Sequence, residues 1–252
     1  MENEQLSLYM NRCMKDYEQF MGISSLPEFR LISKHISLSA ANTSGWGAWA
    51  THKFDFQTMS HSIEVWEDLW KPQLHGEYVT FHELTHLMDT EILVKGDKKR
   101  NVEMRGFLEY HASQVEIIKI LNNNRINNCL PFSMNQTVET VASSKSIQEF
   151  VDEPANTANS LIGRGDFPKD VETFVTTIGL IFNYYGRRSI CLMYAKDFKE
   201  DIEKDKFARV IGKEQFVALD AFLQGRLNPK QIEVLGQFYF RMVVAKMKEY
   251  GL

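Results

Sequence analysis

Five consecutive residues, His82-Glu83-Leu84-Thr85-His86, have the types and spacing for metal-activated hydrolysis. On an α-helix, residues four apart lie one turn apart on the same face, so His82 and His86 can aim two imidazoles at one point. A helix presents ligands to a zinc ion in this way. Glu83 stands beside the first imidazole, where its carboxylate can take a proton from a metal-bound water. A structural metal site needs ligands but no such base, so Glu83 argues for turnover. The alternative is a non-catalytic metal-binding or protein-interaction module.

A catalytic zinc takes three protein ligands and keeps one position for water. The run from Gly106 to Glu116 offers Glu109, Glu116 and His111 as the third. At about 100° per residue, Glu109 and Glu116 fall within about 20° of each other, while His111 lies about 160° from Glu109. Ala112 and Ser113 sit on the glutamate face, and their small size lets this helix come close to the first. The order of preference is Glu109, then Glu116, then His111. With Glu109 as ligand, Glu116 is left to support a ligand or cap a loop. Asp89 also shares the ligand face, where it can accept the free N–H of a ligand imidazole; its other reading is a surface carboxylate near a helix end.

The stretch Thr80-Phe81-His82-Glu83-Leu84-Thr85-His86, followed by Glu109-Tyr110-His111-Ala112-Ser113, resembles the gluzincin branch of the zincin metallopeptidases. In its small members (minigluzincins) and in ImmA/IrrE-type peptidases, a Glu-x-x-Ala motif on the second helix supplies the third ligand. Glu109-x-x-Ala112 matches that motif, with Ser113 where Asp or Asn is commoner. The resemblance covers about residues 25–122. It implies a zincin-like core, a mixed sheet whose edge strand lines a cleft, a Zn2+ cofactor, and hydrolysis of a peptide or protein substrate. Glu83 then acts as base and afterwards as acid. Tyr184, Tyr185, Arg187 and Arg188 are the candidates for a second oxyanion donor.

These residues need elements to position them. Residues 1–21 carry Leu6, Tyr9, Met10, Cys13, Tyr17 and Phe20 on one side and read as an opening helix. Residues 29–33 and 35–38 read as strand. The runs 46–56 and 63–67 read as a hairpin, with 63–67 placed as an edge strand able to pair with an extended peptide. Trp46, Trp49 and Trp66 read as core beside the sheet, with cleft lining as the other reading. Lys71-Pro72 breaks the chain before a metal helix at 77–93, Gly96-Asp97 turns it, and a second helix spans 101–121. Asparagines 122–124, 127 and 128 mark a boundary between a catalytic domain at 1–125 and a helical domain at 126–252. Helices are expected there at 133–150, 168–185, 188–197, 213–223 and 229–250. The whole is α+β: a small mixed sheet with two metal-bearing helices, then a mainly helical half.

The composition agrees with a soluble protein. The 252 residues are 44% hydrophobic and 25% charged, with a net charge of −4 that exerts no pull toward nucleic acid. The most apolar stretch, 171–184, carries Glu172 and three threonines, so no membrane span is expected. The start, Met1-Glu2-Asn3-Glu4-Gln5, lacks the basic-then-apolar order of a secretory signal. Three widely spaced cysteines fit free thiols in a cytoplasmic protein.

Overall fold

The computed structural model describes residues 2–35 and 49–252. Expectations that fall on residues 36–48, including Trp46, lie outside the described residues. The fold is α+β and 60% helical, with a small mixed three-stranded sheet and eight α-helices among the described residues. No helix among them is long and apolar enough to cross a membrane. The chain divides into two compact units, one of residues 1–98, 115–130 and 137–145, the other of 99–114, 131–136 and 146–252.

In the first unit, α1 (Glu2–Met21) precedes β1 (Phe29–Lys34), β2 (Ala50–Asp55) and β3 (Ser60–Trp66). The sheet order is β1-β3-β2, with β1 parallel and β2 antiparallel to β3. Strict alternation in β3 buries His61, Ile63 and Val65 on one face. The hairpin is as the sequence suggests, but the strand at 63–67 is not an edge. β1 pairs with its far side, so among the described residues β3 is central and β1 and β2 take the edges. Parallel pairing of β1 with β3 joins segments that no hairpin turn connects, and alternation alone does not reveal it. Trp66 is buried against Trp49, with ring centroids 4.8 Å apart.

The helix that carries His82 and His86, α2 (Glu77–Asp89), ends four residues earlier than the sequence suggests and passes into a π turn at Thr90–Val94. Its apolar residues Phe81, Leu84 and Leu87 are buried. The predicted face of α1 is buried too: Leu6, Tyr9, Met10, Cys13, Tyr17 and Phe20. Tyr17 and Phe20 meet Phe81 edge-on at 5.3 and 5.4 Å between centroids. The next helix, α3 (Lys98–Ile120), is one continuous helix whose residues are shared by both units. Two short strands, β4 (Thr137–Glu139) and β5 (Ser144–Ser146), form a second sheet.

The second unit is helical: α4 (Ile147–Ile162), α5 (Val171–Tyr194), α6 (Lys204–Ile211), α7 (Lys213–Phe222) and α8 (Pro229–Tyr250), together with part of α3. The expected helix at 133–150 is corrected to β4, β5 and the start of α4. Ser146 and Glu149 cap each other's backbone reciprocally and so begin the helix at Ile147. Pro154 lies inside α4 instead of stopping it. The carbonyl of Phe150, which Pro154 cannot serve, accepts a hydrogen bond from Arg187 Nη1.

The expected helices at 168–185 and 188–197 are a single helix, α5, buried almost continuously from Phe174 to Cys191. Gly186 does not interrupt it. A Cβ there would stand 2.2 Å from the Tyr110 carbonyl oxygen and 2.8 Å from Ser113 Cβ, so its absence is what lets α5 lie directly on α3. Helix α6, unforeseen, buries Phe207, Val210 and Ile211 on one face. Helix α8 keeps the expected limits, capped by Asn228 and Gln231 with Pro229 in the first turn.

Candidate metal centre

Helix α2 is pinned along its length by α1. Tyr9 Oη lies 2.9 Å from Thr80 Oγ1, and Tyr17 Oη donates to Thr85 Oγ1 at 3.1 Å. Each threonine also bonds back to its own helix, at the carbonyls of Gly76 and Phe81. Burial raises the Tyr17 hydroxyl well above its usual pKa; the Thr85 hydrogen bond opposes this and the Asp89 charge adds to it. With Phe81 and Leu84 buried, the opposite side of α2 carries the histidines. His82 is buried and His86 half-buried.

The two imidazoles converge. His82 Nε2 and His86 Nε2 are 3.0 Å apart, with ring centroids at 4.7 Å and planes 70° apart. The other nitrogen of His82, Nδ1, lies 3.6 Å from Glu116 Oε2. Glu116 is itself buried, on the C-terminal part of α3. Because α3 is unbroken, Glu109, seven residues earlier, lies two turns along the axis on the same face. His82, His86 and half-buried Glu109 each offer one ligand atom within 4.8 Å of the other two. That group has the donor chemistry to hold a metal ion. His111 is not in the group and stacks on Phe107, with 5.5 Å between centroids. Asp89 is buried at the end of α2 and is not in the group either.

The carboxylate of Glu83, one residue beyond His82, is oriented by the sheet. Its Oε2 accepts the backbone N–H of His52, at 2.6 Å. That N–H therefore points away from β3, and by antiparallel alternation the backbone groups of Ala50 and Phe54 point outward as well. The His52 side chain begins a hydrogen-bonded chain absent from the sequence expectations. Its Nε2 lies 2.9 Å from His61 Nδ1, and His61 Nε2 lies 3.2 Å from Glu91 Oε2 in the π turn. Burial first, then the nearby His86 and His61, push the His52 pKa down to about 3, so its ring is neutral. A signal for this pair did exist: in the hairpin register Phe54 faces His61, which puts His52 and His61 on one face of the sheet.

Tyr184, Tyr185, Arg187 and Arg188 serve the second unit's own interior. Tyr184 Oη donates to Glu200 Oε1 at 2.6 Å and Tyr185 Oη to Asp220 Oδ1 at 3.2 Å. Arg188 Nε lies 2.6 Å from Glu200 Oε1, and Lys204 Nζ bridges Glu200 and Asp220 at 2.5 and 2.8 Å. Arg187 places its guanidinium 3.7 Å from the Phe150 ring centroid. These contacts tie α5 to α4 before it and to the segments that follow it.

No protein-family model matches the chain, and neither a curated protein nor a solved structure matches it.

Proposed function

We propose that this chain is a zinc metallopeptidase with a zincin-like core, in which His82, His86 and Glu109 hold the ion and Glu83 is the general base. The observation that carries this reading is the convergence of the three ligand atoms within 4.8 Å, beside a base held by the sheet. The residues fit zinc. Two imidazole nitrogens and a carboxylate are a catalytic donor set. Tetrahedral ligands at zinc stand about 3.3 Å from one another for bonds of about 2.0–2.1 Å, and the two Nε2 atoms are 3.0 Å apart. Glu116, beside Nδ1 of His82, favours the tautomer that leaves Nε2 free to ligate.

A zinc ion held there would supply an acidified water and Lewis acidity toward a scissile carbonyl. Glu83 takes the water's proton and returns it to the leaving amine. The N–H of His52 keeps the Glu83 carboxylate oriented through both transfers. The neutral His52 ring adds no positive charge beside the ligands. An extended peptide is the substrate class that fits the neighbouring backbone, because among the described residues β2 is a sheet edge whose Ala50 and Phe54 groups face outward. Three buried free cysteines support a cytoplasmic setting.

The test is metal analysis together with hydrolysis of a mixed peptide library, on wild type and Glu83→Gln. The expected result is one zinc per chain in both proteins, with cleavage by the wild type alone and loss of that cleavage on chelation. A wild type that binds no metal, or a Glu83→Gln variant that cleaves as fast as the wild type, would overturn the proposal. Zinc binding without cleavage by either protein would favour a non-catalytic module.

A further inference from the structure

Helix α5 holds the metal-binding carboxylate through one amide. Asn183 and Ser113 are both buried, and Ser113 Oγ lies 2.9 Å from the Asn183 side chain. With its nitrogen turned toward α3, the Asn183 amide reaches three oxygens: Ser113 Oγ at 2.9 Å, the Glu109 carbonyl at 3.0 Å and Glu109 Oε2 at 3.0 Å. The reverse orientation sets the amide oxygen against a carbonyl and a carboxylate, neither of which has a proton to give. The same face of α5 carries Gly179 one turn earlier, where a Cβ would be 3.8 Å from Cγ, Cδ and Oε1 of Glu109. Gly186, three residues on, sets the close approach of the two helices over Tyr110 and Ser113.

We propose that Asn183 is the positioning residue for Glu109, holding Oε2 so that the carboxylate meets the metal through its other oxygen. The inference rests on the reading of His82, His86 and Glu109 as the metal site. Glu109 would then offer one oxygen beside the two imidazoles, a donor set suited to zinc or cobalt, in place of the two-oxygen carboxylate contacts that larger oxygen-seeking cations take. Ser113 acts through Asn183: its hydroxyl fixes the amide, and the amide fixes the carboxylate.

Titration of the metal-free full chain with Zn2+ against a competing chelator, and with Co2+ followed by visible absorption, tests this on wild type, Asn183→Leu and Ser113→Ala. The wild type should give the intense visible bands of four-coordinate cobalt. Asn183→Leu should lose about 10–100-fold in zinc affinity, and its cobalt bands should weaken as Glu109 turns. Ser113→Ala should lose less, in the same direction. Since alanine is a good helix former, this variant decides the matter if Asn183→Leu does not fold. Wild-type affinity and spectrum in the folded variants would overturn the role of Asn183 while leaving the metal site standing. A wild type that binds neither ion would overturn both.

Discussion

Glu116 Oε2 faces His82 Nδ1 at 3.6 Å, with both side chains buried, and Glu109 lies two turns away on the same helix. One face of α3 thus carries both carboxylates, and in the proposed site Glu109 would hold the metal while Glu116 stands beside a ligand imidazole. The two glutamates are expected to differ in kind. Glu109→Ala removes a ligand and should leave little zinc after dialysis. Glu116→Ala removes only the carboxylate beside His82 Nδ1, and should weaken zinc binding by about 10–100-fold with the ion still stoichiometric at saturation. Competitive chelator titrations of both variants check this. Full zinc retention in Glu109→Ala with loss in Glu116→Ala would exchange their roles.

The buried His52 makes stability depend on pH. Its pKa is pushed down to about 3, against about 6.5 in an unfolded chain. Between those values the unfolded chain binds a proton at His52 and the folded chain does not. Stability is therefore lost as pH falls from about 6.5 toward 3, by up to about 1.4 kcal/mol per pH unit, and is unaffected by this group at higher pH. Urea unfolding of metal-free protein, compared with His52→Gln, should show the smaller slope in the variant. Equal slopes in the two proteins would remove His52 as the cause.

The parts of the centre legible in the sequence are those that depend on helical periodicity alone. His82, Glu83 and His86 share one helix, and the common face of Glu109 and Glu116 follows from seven-residue spacing on the next. Their division of labour does not follow, because the two glutamates differ in height along the axis and not in angle. What each glutamate meets depends on contacts far apart in sequence, such as Asn183 against Ser113. The His52–His61–Glu91 chain was hidden for a similar reason, since it needs the register of a hairpin and the extra residue of a π turn. Helix α4 also runs on through Pro154, although proline ordinarily ends a helix. The group that compensates it, Arg187, lies on another helix.

The contact at Gly186 carries its own prediction. Gly186→Ala gains about 1 kcal/mol in helix propensity, yet its new Cβ would meet a backbone oxygen at 2.2 Å. The net effect should be a loss of about 1–3 kcal/mol. Gly165→Ala is the control, because a Cβ there meets nothing within 4 Å. Its effect should stay within about 0.5 kcal/mol. Thermal unfolding of the two variants separates the local crowding from any general response to losing a glycine.

Arg187 and Pro154 form a pair whose coupling can be measured. Pro154 has no N–H for the Phe150 carbonyl, and Arg187 Nη1 donates to that oxygen while its guanidinium lies over the Phe150 ring. Arg187→Met should cost about 2–4 kcal/mol, from the lost hydrogen bond to that carbonyl together with the lost cation–π contact. Pro154→Ala restores an N–H one turn after Phe150, so in that background the carbonyl keeps a partner when Arg187 is replaced. The cost of Arg187→Met should then shrink by about 1–2 kcal/mol. A double-mutant cycle from urea unfolding reads the difference. Strict additivity would mean that Arg187 stabilises α4 through the ring alone, and the tolerance of Pro154 would need another source.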